Sequence, residues 1–431
     1  MKPFRVCAGM LIGLTCAATL ADEDFIPVQP LQDAGLVKYW QLQLPLEKNQ
    51  VLRDAYLVDD QLYLGTDDGY VYAVHADTGA IRWLAPITRS GYHVRRPCHT
   101  DDRTVFVTPT DIQVYDRQTG EGLSRTDLRF PPGTAAVSDG RRLFVGGIDH
   151  RLYALNTETV YLVWRAVTDA SISASPAIYG DYVFAATDSG VVYACKRDNK
   201  AFHWQTSVYG PISADLVAKE SGVYVASRDQ SLYLLDFDFG QPRWRARFSG
   251  PLYEPPVVTP ELAYQYCPND GLVAVENAVL AVDERIRWKM PEGRSALTVH
   301  NQLAYVLTTD GRILAVQTKK GQVAYTIPAS DFTIPVPAPD TSTIFVASPQ
   351  GRLFCARPRG VPLVKKEDVL AALQPPPATR ATTSQPATRP TTQPSTRPTT
   401  QPASAPASQP TPRKGLPLGG KSKISRGYRP G

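Results

Sequence analysis

The stretch LYLGTDDGYVYAVHADTGAIRW, residues 62–83, is written again as LFVGGIDHRLYALNTETVYLVW at 143–164, VFAATDSGVVYACKRDNKAFHW at 183–204, VYVASRDQSLYLLDFDFGQPRW at 223–244 and AYVLTTDGRILAVQTKKGQVAY at 304–325. A chain that repeats one unit at a fixed interval must stack or close copies of one supersecondary element, which removes most other folds at once. Each unit alternates apolar and polar residues over short runs rich in Val, Tyr, Phe, Leu and Ile, broken by Asp/Gly turns. That is the signature of antiparallel strands joined in hairpins. A further run precedes each unit, for example residues 173–179 before Val183, so every repeat supplies four strands.

The second strands start near residues 62, 105, 143, 183, 223, 263, 304 and 344. Steps of about 40 residues with four strands each are propeller blades. The expected fold is all-β: a single eight-bladed β-propeller over residues 36–360. The eighth unit, IFVASPQGRLFCARP, lacks its last strand, whereas LVKYWQLQL at 36–44 is an orphan last strand. Pairing the two closes the ring and leaves no open edge at the seam.

The tryptophans support this register: Trp40, Trp83, Trp164, Trp204, Trp244 and Trp288 fall at one place in their units, and Tyr325 takes that place in the seventh. Only the unit passing through Ser124 lacks an aromatic there. One large ring per blade beside a turn reads as a wedge docking each sheet onto its neighbour.

Outside the repeat, Lys2 and Arg5 precede an apolar run ending in small residues, so residues 1–21 are expected to be a signal peptide for export. Gly13-Leu14-Thr15 before Cys16 is a poor lipid-attachment motif, and plain cleavage is favoured over an anchor at Cys16. The destination is then periplasmic or outer-membrane associated. Cys98, Cys195, Cys267 and Cys355 lie in different repeats and read as free thiols. VKKEDVLAAL in 361–374 has helical spacing and is expected as a short cap. Residues 375–431, rich in Pro, Thr, Gln and Arg, hold nine Lys/Arg and no Asp or Glu, and are expected to be a disordered basic tail. Such a tail can contact anionic lipid or wall polymer, or simply solubilise the chain. Without it and the signal, residues 22–374 carry a net charge of −6, which argues against nucleic acid as a partner.

Units ending AVHADTGAIRW and ALNTETVYLVW resemble the pyrroloquinoline quinone-type β-propeller repeat, and eight of them with an N-terminal closing strand are similar to the family of the outer-membrane assembly lipoprotein BamB. The resemblance implies a non-catalytic scaffold of the bacterial cell envelope, a monomer that binds another envelope protein in outer-membrane protein assembly. The same repeat also occurs in quinone-dependent dehydrogenases. Those enzymes stack the quinone between an axial Trp and a disulfide of adjacent cysteines, beside calcium; here no two cysteines are adjacent and the tryptophans occupy the docking position. No cofactor and no metal is therefore expected, and a dehydrogenase or other small-ligand propeller is the alternative.

Three further patterns bear on chemistry. The turns Asp67-Asp68-Gly69, Asp188-Ser189-Gly190, Asn269-Asp270-Gly271 and Thr309-Asp310-Gly311 stand one per blade, which suits hairpin turns better than a calcium site needing converging oxygens. Cys98 and His99, with His93, could suggest a metal, but neighbours along a strand point to opposite faces. Residues 92–99 read as the inner strand of the second blade. With comparable positions elsewhere they place Asp54, Tyr92, His93, Arg95, Arg96, Asp215, Tyr253 and Glu254 around an axial funnel that could bind a peptide or small ligand. Ion pairing among these groups, with no ligand, is the other outcome. Neither a Ser-His-Asp pattern, paired carboxylates nor a Gly-rich phosphate loop is present, so no catalytic residue is assigned.

Overall fold

The computed structural model describes residues 23–279 and 284–360; the expected signal peptide with Cys16, the expected helical cap and the expected disordered tail lie outside them. Eight four-stranded sheets form, each antiparallel and each built from consecutive strands except the last. The second strands begin at Gln61, Arg103, Arg142, Tyr182, Gly222, Leu262, Leu303 and Ile344, within two residues of every expected start. These second and third strands are almost wholly buried because both faces of a blade pack on neighbouring blades, and their runs of Val, Leu, Ala and Tyr supply the apolar surface for this.

The closing strand appears where the sequence places it. Leu36–Gln43 pairs antiparallel with Arg352–Pro358 as the outermost strand of blade 8. The Gln43 amide donates to the Gln350 carbonyl, 307 positions away, at 2.9 Å. Across the seam Arg357 pairs with Asp77 of blade 1 and stacks 3.8 Å over Tyr39.

All six tryptophans are at most 9% exposed. A bulge sets each outer-strand residue of this series opposite an inward position, Trp83 against Ala73 and Trp204 against Ala194 for example. Each ring reaches the next blade's last hairpin. The indole N–H of Trp40 donates to the Ala76 carbonyl at 2.9 Å, that of Trp83 to Arg117 at 3.1 Å, that of Trp204 to Phe237 at 2.7 Å and that of Trp288 to Thr318 at 2.8 Å. Beneath four of the rings, those of Trp40, Trp83, Trp204 and Trp288, the hairpin residue is glycine, for two reasons. At Gly240 φ is +68°, and an added Cβ would stand 2.4 Å from the Trp204 ring; Gly79 under Trp40 is alike.

The seam between blades 2 and 3 is built differently. Ser124 stands at the wedge position, and the facing hairpin residue is Val160, held at φ +58° and 6% exposed. Its side chain joins Val105, Val107, Val114 and Val145 in the core of that seam. A small residue thus replaces the ring on one side and a larger one replaces glycine on the other.

Tyr325 corrects the expectation made for it. It holds the register position opposite Ala315 but is 42% exposed, so it does not wedge blade 7 onto blade 8. Blade 8 has no hairpin there to receive a ring, because its last two strands come from opposite ends of the propeller. A short helix at Val28–Asp33 occupies the junction, with Ile26, Leu31 and Ala34 packed on Ile327 and Tyr305, whose hydroxyl donates to the Ala34 carbonyl at 3.0 Å. The second blade gives another correction: only Cys98–Thr100 is strand, and residues 92–97 form the connection from blade 1, where Pro97 lacks the amide a ladder needs.

Candidate functional site

The connection 92–97 brings part of the expected funnel together. Asp54, from the first strand of blade 1, accepts the Val94 backbone N–H at 3.0 Å and contacts His93 Nδ1 at 3.1 Å. Arg95 reaches forward and donates to the carbonyls of Thr134 at 3.0 Å and Pro132 at 3.3 Å in blade 3. Arg96 reaches back to the Leu57 carbonyl at 2.9 Å. Asp215 of blade 5 accepts the Ser175 N–H of blade 4 at 2.7 Å. Its carboxylate also acts across the axis: burial lowers the Arg95 pKa and the Asp215 charge opposes that shift.

Tyr56 belongs to this group, though its residue type drew no attention in the sequence. Its hydroxyl donates to the Val94 carbonyl at 3.0 Å, and burial, then the charges of Asp54 and Asp215, push its pKa well above the ordinary value. Tyr253 and Glu254 lie in a second group. Glu254 forms a two-pronged pair with Arg294 at 2.7 and 2.8 Å, and Tyr253, half exposed, covers Arg228 at 5.5 Å. Sequence reasoning missed Arg294, which faces Glu254 from the neighbouring blade.

A cleft of about 160 Å³ opens beside the first group, lined by Ile87, Val94, Phe106, Val107, Thr108 and Pro109 with Tyr92, His93 and Arg95 at its polar side. At the other end of the inner strands Lys219 of blade 5 binds both oxygens of Asp340 of blade 8, at 2.9 and 2.8 Å. Those blades are not neighbours in the ring, so the pair spans the central channel there. Tyr92, which lines the cleft, is 53% exposed. Such a pocket suits one apolar side chain or a small anion; the carboxylates and cations around it are mainly occupied by backbone groups and by each other.

The metal reading of the second blade separates in space. His99 Nδ1 contacts Asp59 at 2.7 Å and its Nε2 contacts the Tyr63 hydroxyl at 2.7 Å, whereas Cys98 packs into the seam of blades 2 and 3 and His93 meets Asp54. The turn carboxylates are likewise engaged within their own blades or with adjacent loops: Asp68 with Gln50 at 2.9 Å, Asp270 with Ser249 and Lys289, Asp310 with Arg312. Cys195, Cys267 and Cys355 are buried free thiols, and Cys98 is a half-buried one.

With this geometry in view, known proteins fall into two groups. A family model described as outer membrane protein assembly factor BamB matches residues 109–211 and 188–333, a little over half of the chain. The outer membrane protein assembly factor BamB of Yersinia pestis is 28% identical over 165 residues, 35% of this chain and 42% of that protein. A tetrathionate hydrolase of Acidithiobacillus ferrooxidans is 25% identical over 197 residues, 45% of this chain and 36% of that enzyme. The matched region thus spans about two fifths of these curated relatives. Among solved structures, BamB from Moraxella catarrhalis superposes with a TM-score of 0.59 at 14% identity, covering 75% of this chain and 99% of that one. The computationally designed Ika8 protein gives 0.58 at 12% identity over 73% of this chain and 98% of its own, so likeness at this level speaks for the propeller alone. The repeat, the register of its wedges and the family match agree, and the chain belongs to the family of outer membrane protein assembly factor BamB.

Proposed function

We propose that this propeller is a non-catalytic scaffold of the bacterial envelope that holds another protein during outer-membrane protein assembly. The family match carries this reading. It is supported by the axial site, where Asp54, Arg95, Arg96 and Asp215 are bonded to backbone groups of neighbouring blades and so brace the ring instead of presenting a reactive group. The signal-like residues 1–21 fit export to the compartment where such assembly occurs, and the basic tail fits a secondary contact with anionic lipid or wall polymer. The test is cross-linking in intact envelope, with the full chain and with a version ending at Leu373. A barrel-assembly component recovered by both supports the scaffold; recovery of no protein by either overturns it.

A second reading rests on the tetrathionate hydrolase match and the cleft at His93 and Arg95. In it the propeller binds a small anion or a quinone. Loss of tetrathionate on incubation with the purified protein, or an absorbance change on adding pyrroloquinoline quinone with calcium, would establish it in place of the scaffold.

A further inference from the structure

In blades 2 to 7 the outermost strand presents three exposed residues: those one before, one after and three after the wedge position, which share a face by the two-residue period of a strand. In blade 3 they are Val163, Arg165 and Val167, and in blade 4 His203, Gln205 and Ser207. In blade 5 all three are arginine, Arg243, Arg245 and Arg247, and no other described blade has a cation at all three.

Their charges are poorly offset. Arg247 has no hydrogen bond or ion pair among the described residues. Arg243 donates only to the Ser221 carbonyl at 3.0 Å, and the carboxylate nearest Arg245 is Asp229 at 3.8 Å. Blade 6 shows the contrast: Arg287 meets Glu276 at 2.8 Å and Lys289 meets Asp270 at 2.7 Å. The cation row also stands on a body whose residues 22–374 are net acidic.

The middle of the row is held in place by aromatic rings. Arg245 lies between Tyr233 at 5.2 Å and Tyr209 at 5.1 Å, and Tyr209 is 83% exposed. Arginine and tyrosine of this kind are the residues that anchor protein interfaces. Pro242–Arg247 pairs on one side with Ser231–Leu235, and its other side is an open sheet edge among the described residues. Like charges directly opposite repel, so this edge disfavours pairing with its own copy.

We propose that the outer edge of blade 5 docks an extended acidic segment of a partner protein, which adds as a fifth strand with carboxylates at every second residue facing Arg243, Arg245 and Arg247. Alternate residues of a strand are about 6.8 Å apart, so side chains on an added strand keep step with the arginine row, which a flexible polyanion does not. The inference rests on the scaffold reading and names its edge and its partner's chemistry.

The deciding experiment uses the full chain and a fluorescent eight-residue peptide alternating Glu with Val. A second peptide of the same composition has its glutamates contiguous, and phosphatidylglycerol vesicles serve as a lipid probe. The alternating peptide is expected to bind, to weaken about tenfold or more in R243E/R247E, and to be replaced in that variant by the matching Lys/Val peptide. Both substituted side chains are exposed, and circular dichroism checks that the fold persists. Equal binding of the contiguous peptide, vesicle binding lost in the same variant without peptide binding, or no effect of R243E/R247E overturns the proposal. Envelope cross-linking separates the two ideas: partner recovery retained by R243E/R247E keeps the scaffold and rejects this edge, whereas no recovery by the unaltered chain rejects the scaffold while the peptide result still decides the edge.

Discussion

The seam between blades 4 and 5 and the seam between blades 2 and 3 solve one packing problem in opposite ways. In the first, Trp204 drives a ring against Gly240, a residue without a side chain at φ +68°. In the second, Ser124 leaves the ring's space empty and Val160 fills it from the other blade, at a φ of +58° that costs a β-branched residue strain. The shared quantity is volume across the interface. In these two seams one partner supplies it and the other gives way.

This comparison can be broken most severely by Gly240→Val. Its Cβ would stand 2.4 Å from the Trp204 ring, and the backbone angle is one valine avoids. Loss of more than about 4 kcal/mol, seen as a collapsed urea midpoint, is expected, although valine is the native residue at the equivalent position 160. Next comes Trp204→Ala, expected to cost about 3–5 kcal/mol from the cavity and the lost indole hydrogen bond, against less than about 0.5 kcal/mol for Ser124→Ala. Ser124→Trp alone overpacks its seam and should cost about 1–3 kcal/mol. Combined with Val160→Gly it rebuilds the common pairing, and a double-mutant cycle should give a favourable coupling of at least about 1 kcal/mol. A coupling near zero would falsify the volume argument. A small effect is also expected for Val160→Gly alone, within about 1 kcal/mol of the native chain, because relieved strain offsets the cavity.

Much of this architecture is legible in the residues. Second-strand starts follow from alternation and turn chemistry, and the orphan strand at 36–44 names its own partner by lacking a blade. The compensation at the second seam was half visible: the missing aromatic at Ser124 stands out, and NTETV at 156–160, where sister units read ADTG or DFG, carries the other half. Tyr325 misled because the repeat records chemical type at a position but not what the next blade offers opposite. The helix at Val28–Asp33 is too short for a periodic signal, and it becomes necessary only once the ring is closed. The axial candidates at 92–97 rest on a register that the structure replaces with a connection, and their partners are not legible, since Thr134 C=O and Arg294 reach them from neighbouring blades.

The clasp sets an order of events. Leu36–Gln43 is made before any blade, yet among the described residues its only strand partner is Arg352–Pro358. During synthesis the first strand has no partner to pair with until residues 352–358 are made. Joining ends this far apart carries a loop-closure cost that already assembled blades greatly reduce, because they bring the two edges into proximity. Ring closure then comes last, and a chain stopped before residue 352 leaves the strand at 36–43 without its partner and the ring unclosed.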